Sequence, residues 1–243
     1  MSKTEKRIAM WSGPRTISSY LLRAFENRTD TQVLDEPFLA YFLAHTGIDH
    51  PGRAVILKDA VTDAIAVESI LLAPLETGKT IFYQNHMSRH QLIGMDQGWQ
   101  QNMEHAFLIE DPVRVLARHN PSTETISISD LGLPQQLSMF DHVADRLGKV
   151  PPVIDAADIR KNPADMLKKL CASLEIPFDA AMLSWPAGNR DTDGVGTPWS
   201  DSQIQTSTGF ERPLGRAPRL DDSLQEVADL AMTYYDRLSR YRL

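Results

Sequence analysis

Five short apolar runs each end in a polar or acidic cluster, and four of them are followed directly by helical periodicity. Arg7 to Ser12 (RIAMWS) ends at Gly13-Pro14, and Gln32 to Pro37 (QVLDEP) ends in two carboxylates. Thr80 to His86 (TIFYQNH) ends at a histidine, and His105 to Ile109 (HAFLI) ends at Glu110-Asp111-Pro112. Val153 to Ile154 ends at Asp155. Short runs with apolar centres of this kind fit buried strands. The intervening segments carry apolar residues at helical spacing. The spacing predicts helices over Thr16 to Arg28, in FLAYFLAHTG up to Gly47, over Ala54 to Leu72, from VRVLARH, over Leu133 to Leu147, from Pro163, and over Asp221 to Arg242. Strands alternating with helices imply right-handed crossovers and a mainly parallel sheet between two helical layers, a three-layer α/β sandwich.

Such a sheet binds ligands outside the carboxyl ends of its strands. The polar groups that fall there are Ser12 to Ser19, Asp35 and Glu36, Asn85 and His86, Glu110 and Asp111, and Asp155. The first cluster is the most informative. In MWSGPRTISSYLLRAF a strand, a turn and a helix start coincide with an arginine and several hydroxyls. A helix N-terminus offers unpaired amides and about half a positive charge, which favours an anion. Arg15 adds a full charge and a planar fork, Ser18 and Ser19 add donors, and Thr16 is the expected N-cap. The alternative is an ordinary strand-to-helix turn with a solvated arginine.

Composition narrows the function classes. At 243 residues, 42% hydrophobic and 23% charged, the chain suits one globular domain over 1–243. Its formal charge of −7 argues against a generally basic, nucleic-acid-binding surface. The single cysteine, Cys171, lies in a helical pattern and reads as a core thiol. With no signal-like apolar segment and no run near the roughly 18 residues of a membrane span, a cytoplasmic protein is expected. The seven histidines have no metal-ligand spacing, so no metal is expected. Residues 186–219 hold much of the Gly, Pro, Thr and Asp, and read as a long irregular segment, either mobile or a functional lid. Trp199 within it can cover a ligand, while Trp11 and Trp185 read as packing residues. Tyr234, Tyr235, Leu238 and Tyr241 fall on roughly one side of the last helix, as core or as the contact of a homodimer.

SGPRTISSYLLRAF resembles the 5′-phosphosulfate loop of the sulfotransferases, in the bacterial form Pro-Arg-Ser-Gly-Ser/Thr-Thr-Leu-Leu. Pro14, Arg15, Ser18 and Ser19 match it, Thr16 is a mild change, and Ile17 replaces glycine. MWSGPR, VLDEP, LGLPQQ, PPVIDA, IPFDAAMLSWPAG and STGF extend the likeness to nearly the whole chain and to a subgroup of small bacterial sulfotransferase-like proteins. Domains of this type accompany aminotransferase-like domains in some organisms.

The resemblance implies a P-loop fold and the donor 3′-phosphoadenosine 5′-phosphosulfate. Gly13, Pro14, Arg15, Thr16, Ile17, Ser18 and Ser19 would hold its 5′-phosphosulfate. Arg15 would neutralise the bridging oxygen as sulfuryl moves to a small-molecule hydroxyl or amine. His86, or Asp35 or Glu36 in its place, would take the acceptor's proton. Arg89 and His90 are an alternative anchor for an anionic substrate.

Three departures from the pattern matter, the last involving two residues. Ile17 reshapes the loop if that position needs a positive φ. Asn85 stands where relatives carry lysine. Glu110 and Arg118 occupy the places of an arginine and a serine that hold the 3′-phosphate in the family. A carboxylate about 4 Å from a phosphate charge costs on the order of 4 kcal/mol at an effective dielectric near 20. Either Arg118 takes the phosphate while Glu110 pairs with Arg114 or Arg118, or the ligand lacks that phosphate and Glu110 accepts from a ribose diol. Arg212, in TSTGFERPLGR, is a second source of cationic charge. The alternatives to a sulfotransferase are another nucleotide- or phosphoryl-handling enzyme on this fold and a non-catalytic anion-binding protein.

Overall fold

The computed structural model describes residues 5–118, 126–196, 203–213 and 215–243. The described residues hold five strands, β1 (Lys6–Ser12), β2 (Thr31–Asp35), β3 (Ile81–Met87), β4 (Glu104–Ile109) and β5 (Val153–Asp155). They form one sheet in the order β2-β3-β1-β4-β5, with every pair parallel. The strands stand where the apolar runs place them, shifted by a residue or two at the ends.

Strand alternation divides the sheet between two cores. On β1, Ile8 and Met10 face one cluster and Ala9 and Trp11 the other; on β4, Ala106 and Leu108 take the first and Phe107 and Ile109 the second. The first face is covered by α1 (Ser18–Glu26) and α8 (Pro163–Ser173), through Leu21, Phe25, Leu167 and Leu170. The second is covered by α6 (Leu133–Leu147) and α10 (Asp222–Ser239), through Leu137, Phe140, Leu224 and Ala231. Cys171 lies wholly within the first core, and burial pushes its thiol up to about 11, so it serves packing.

Local chemistry explains the helix ends. Gly47, at φ 66°, closes α2 (Leu39–Thr46). Asn162 caps α8, and Pro163 opens it. The single helix expected over Ala54 to Leu72 is two, α3 (Arg53–Asp59) and α4 (Ala64–Leu71). The break falls at Ala60, extended at φ −92° and ψ 155°, and the Asp63 carboxylate restarts the helix by accepting from the Ala66 N–H at 2.8 Å. The other helices are α5 (Pro112–Leu116), α7 (Ala156–Lys161) and α9 (Gln203–Thr206), and no helix among the described residues is long and apolar enough to cross a membrane.

Candidate functional site

The turn from β1 into α1 is shaped by residues other than the expected ones. Helix α1 begins at Ser18, so Thr16 is not its cap; the Thr16 hydroxyl instead donates to the Gly13 carbonyl at 3.1 Å. Ile17 is the residue before the helix, at φ −89° and ψ 27°, and its side chain is buried in the core beneath α1. The loop's left-handed residue is Arg15, at φ 57°. An isoleucine is therefore tolerated in the glycine's place, because the strained dihedral sits two residues earlier. Gly13 is required for a different reason: a Cβ there would lie 2.6 Å from the Leu131 carbonyl oxygen. Among the described residues no side chain caps the first turn of α1, and no acidic residue lies in it, so the turn keeps its preference for an anion.

Arg15 and Arg118 clasp each other across the loop. Arg15 Nη1 donates to the Arg118 carbonyl at 2.8 Å, and Arg118 Nη1 donates to the Arg15 carbonyl. Arg118 also reaches Glu110, with Nη2 at 3.1 Å from Oε1. Arg114, the other expected partner of Glu110, donates instead to the Gly215 carbonyl at 2.5 Å. Sequence reasoning missed the stronger partner. Arg160, on α7 (Ala156–Lys161), places Nη1 2.6 Å from Glu110 Oε1, and both side chains are almost fully buried. Its Nε bonds Glu211 at 3.0 Å, and Glu211 accepts from the Tyr20 hydroxyl of α1 at 3.1 Å. The four guanidinium contacts to the Glu110 oxygens, at 2.6 to 3.5 Å, leave no acceptor position for a ribose diol. Arg212 is exposed, and its neighbour Glu211 is the residue that reaches the site. The only sequence signal for Arg160 is its place on the short helix that leaves the β5 strand end.

A cavity of about 10 Å³, room for one water, lies between the loop and this network, against Gly13, Thr16, Glu110 and Gln136. The Gln136 amide donates to the Trp11 and Leu108 carbonyls at 3.0 and 2.8 Å, tying α6 to the ends of β1 and β4.

The other strand-end groups divide into caps, core and site. Asp111 caps the Val113 N–H and Asp155 the Ala157 N–H, each at 2.8 Å, and Tyr235 donates to Asp155 at 2.5 Å. Both are structural. His86 is not at the surface expected of a base. It stacks against Trp11 at 4.7 Å and Trp99 at 5.3 Å, with Nε2 3.1 Å from Gln84 Oε1. Burial, helped by nearby His105, lowers its pKa to about 3, leaving a neutral imidazole with little affinity for a proton. The carboxylates of β2 are better placed. Asn85, in the lysine's position, donates to Asp35 at 2.7 Å, and the Gly194 N–H also bonds Asp35; burial nevertheless pushes that carboxyl up. Glu36 has φ 40°, and burial with the neighbouring Asp35 charge raises it to about 8, against the opposing pull of Arg89. A carboxyl poised there can exchange a proton near neutral pH.

The irregular segment reaches this end of the sheet. Asp193 pairs with Arg23 at 2.6 Å and Arg190 with Glu26 at 3.0 Å, anchoring the stretch to α1. A Cβ at Gly194 would lie 2.8 Å from Asp35 Oδ2. Trp199, the residue read as a ligand cover, lies outside the described residues. Trp11 and Trp185 are buried in the two cores, as expected of packing residues. Among the described residues, no group of three or more His, Cys, Asp or Glu is placed to hold a metal ion.

The family model described as a sulfotransferase domain matches residues 6–241. Two branched-chain-amino-acid aminotransferase-like proteins of Arabidopsis thaliana are similar. Protein 1 is 35% identical over 237 residues, which make up 96% of this chain and 40% of its own length. Protein 2 is 36% identical over 211 residues, 85% of this chain and 36% of its own. The chain thus spans about two-fifths of the length of these curated relatives. Among solved structures, a sulfotransferase from Alicyclobacillus acidocaldarius superposes with a TM-score of 0.52 at 12% identity, covering 96% of this chain and 93% of that one. A mouse sulfotransferase complexed with PAP superposes with a TM-score of 0.51 at 14% identity, covering 98% and 88%. At these identities the structural likeness shows the shared fold. The match along almost its entire length establishes that the chain belongs to the sulfotransferase domain family.

Proposed function

We infer that the chain transfers a sulfuryl group from a 3′-phosphoadenosine 5′-phosphosulfate-type donor to a hydroxyl or amine of a small molecule. The observation that carries this reading is the uncapped start of α1, preceded by a loop whose arginine is turned by its positive φ and locked to Arg118. The loop amides, Ser18, Ser19 and Arg15 would hold the phosphosulfate. Glu36 would take the acceptor's proton as the acceptor–sulfur bond forms. The bond from sulfur to the phosphate oxygen breaks, and that oxygen keeps the electron pair beside Arg15. Catalysis of this kind rests on positioning and charge stabilisation, with no covalent enzyme intermediate. Residues 186–196, whose Gly194 packs on Asp35, would serve as part of a cover that excludes water.

One observation favours a second reading. Glu110, in the place of the family's 3′-phosphate arginine, is buried and already saturated by Arg118 and Arg160. A ligand without the 3′-phosphate, bound with or without turnover, meets less repulsion there. Calorimetry with 3′-phosphoadenosine 5′-phosphate, adenosine 5′-phosphate and ATP separates the readings. Tighter binding of the first supports the PAPS-type donor. Equal or tighter binding of the second favours a donor lacking the 3′-phosphate. No binding of any nucleotide by folded protein removes both.

A further inference from the structure

Beside the phosphate loop lies a second set of polar groups that the fold leaves without partners. It begins at the 3-10 turn Ser88–His90, which follows β3 directly. The β1–β3 register pairs Ser12 with Met87, so Ser88 emerges alongside Gly13. Gly132, at φ 70°, bridges the two: the point where its Cβ would stand is 3.5 Å from the Arg89 N and 3.7 Å from the Gly13 Cα.

Five buried side-chain atoms on these residues have no hydrogen-bond partner: Ser12 Oγ, Ser88 Oγ, Arg89 Nε, and both ring nitrogens of His90. Ser12, Ser88 and His90 are each at most 1% exposed. Buried polar groups are overwhelmingly satisfied in folded proteins, and each orphan costs about 1–3 kcal/mol. A neutral imidazole needs a donor and an acceptor for its two nitrogens, and His90 has neither. Arg89 is half-buried and adds a charge to the group. Its guanidinium carbon lies 5.5 Å from the centre of the Phe42 ring, and the His90 ring lies 4.7 Å from the same centre. The nearby charge of Arg89 acts on Glu36, which places the carboxyl and the guanidinium at the same end of the sheet.

The charges select among ligands. A single guanidinium matches one negative charge, and its planar fork fits a carboxylate. A dianionic phosphate would leave a surplus buried charge next to Glu36 and Asp35. Neutral Ser88 and His90 supply hydrogen bonds without further charge. We propose that Ser88, Arg89 and His90, with Ser12, form the acceptor's anchoring subsite, and that the acceptor is a small carboxylate-bearing molecule whose free hydroxyl or amine is directed to Glu36. This rests on the sulfuryl-transfer reading for the word acceptor, and on the orphaned side chains alone for the carboxylate.

The test is calorimetry on the full chain with glycolate, lactate, 3-hydroxybutyrate and 4-hydroxyphenylacetate, each against its primary amide, with no nucleotide present. The expected result is that at least one acid binds and its amide binds roughly 10- to 100-fold more weakly, the worth of a charge-assisted hydrogen bond. Arg89→Gln should erase that preference and Arg89→Lys should keep part of it, with circular dichroism unchanged in both. In the nitrogen NMR spectrum the His90 ring signals should move when the acid is added. Equal binding of acid and amide, no binding of any acid, or an unaltered preference in Arg89→Gln overturns the subsite. A parallel titration with 3′-phosphoadenosine 5′-phosphate keeps the two readings distinct. If the nucleotide binds and the acids do not, only the subsite fails; if an acid binds and the nucleotide does not, the donor assignment fails and the carboxylate site stands.

Discussion

Replacing Glu110 by Gln should lower stability and raise anion affinity at the same time. Glu110 and Arg160 have side chains 1% and 2% exposed, and their closest contact is 2.6 Å. The amide is nearly isosteric, so packing is preserved while the charge is lost. Its NH₂ group would face guanidinium N–H groups, donor against donor. Arg160 would keep Glu211 as its remaining carboxylate, at 3.0 Å and 26% exposed. Removing one member of a buried pair costs about 3–5 kcal/mol; with Glu211 still present, the low end, about 3 kcal/mol, is expected. For a chain of this size that lowers the melting temperature by roughly 6–12 °C. Arg160→Met added to Glu110→Gln should recover much of the loss, because an apolar replacement no longer strands a buried charge. Calorimetric melting and urea titration at neutral pH measure both effects. The affinity term has the opposite sign. At an effective dielectric near 20, a unit charge about 8 Å from a bound anion is worth about 2 kcal/mol, or roughly 30-fold before salt screening. Sulfate or nucleotide titration reads it. A melting temperature within about 1 °C of the parent, or weaker anion binding in the variant, would refute the claim that Glu110 neutralises Arg160 and opposes the ligand.

Three further outcomes follow from the same structure. If Glu36 is the base, its active form is the deprotonated one, so turnover should climb as pH rises through about 8, and Glu36→Gln should remove that limb; a limb near the ordinary carboxylate range would contradict the assignment. His86, lowered to about 3 in the fold, binds no proton while the unfolded chain takes one below about 6.5, so it contributes stability at neutral pH that is lost as pH falls. His86→Phe should therefore gain about 1.4 kcal/mol per pH unit on the parent between about pH 6 and pH 4 and retain activity; an inactive variant with an unchanged pH slope would restore His86 as the base. Gly13→Ala places a methyl 2.6 Å from a backbone oxygen and should cost about 1–3 kcal/mol and weaken anion binding, whereas a fully active, equally stable variant would show that the loop has room to move.

The sheet was legible because its inner strands are buried and carry apolar runs, such as IAMW in β1 and AFLI in β4, while the half-buried edge strand β2 shows only Val33 and Leu34. Trp11 and Met10 belong to opposite cores, yet both are simply apolar in sequence. The site was legible only by location. Placing Asp35, Glu36, Asn85 and Glu110 at strand ends follows from topology, but their partners come from distant elements. Arg160 is 50 residues from Glu110 and Gly194 lies far along the chain from Asp35. Nothing local in either segment reports the pairing. His86 illustrates the converse. Its strand-end position suggested chemistry, but Trp11, Trp99 and Phe38 converge on it from three separate segments and make it a core aromatic.

Ile17 in the place of the family's glycine has the same physical basis. A sequence pattern records which residue types occupy the turn, while the physical requirement is one left-handed dihedral and an open helix start. Here Arg15 supplies the dihedral at a cost of about 1–2 kcal/mol that glycine would avoid. Two hydrogen bonds, one in each direction between Arg15 and Arg118, offset that cost at about 0.5–1.5 kcal/mol apiece. Ile17 is then free to be a core residue, and its burial fixes α1 against the sheet. The consequence is that loop shape and loop charge are one variable. Arg118, which holds the loop, is also bound by Glu110, which is held by Arg160 and, through it, by Glu211 and Tyr20 of α1. The turn is thus specified by Gly13 and Arg15 together with a ring of contacts that closes back on its own helix.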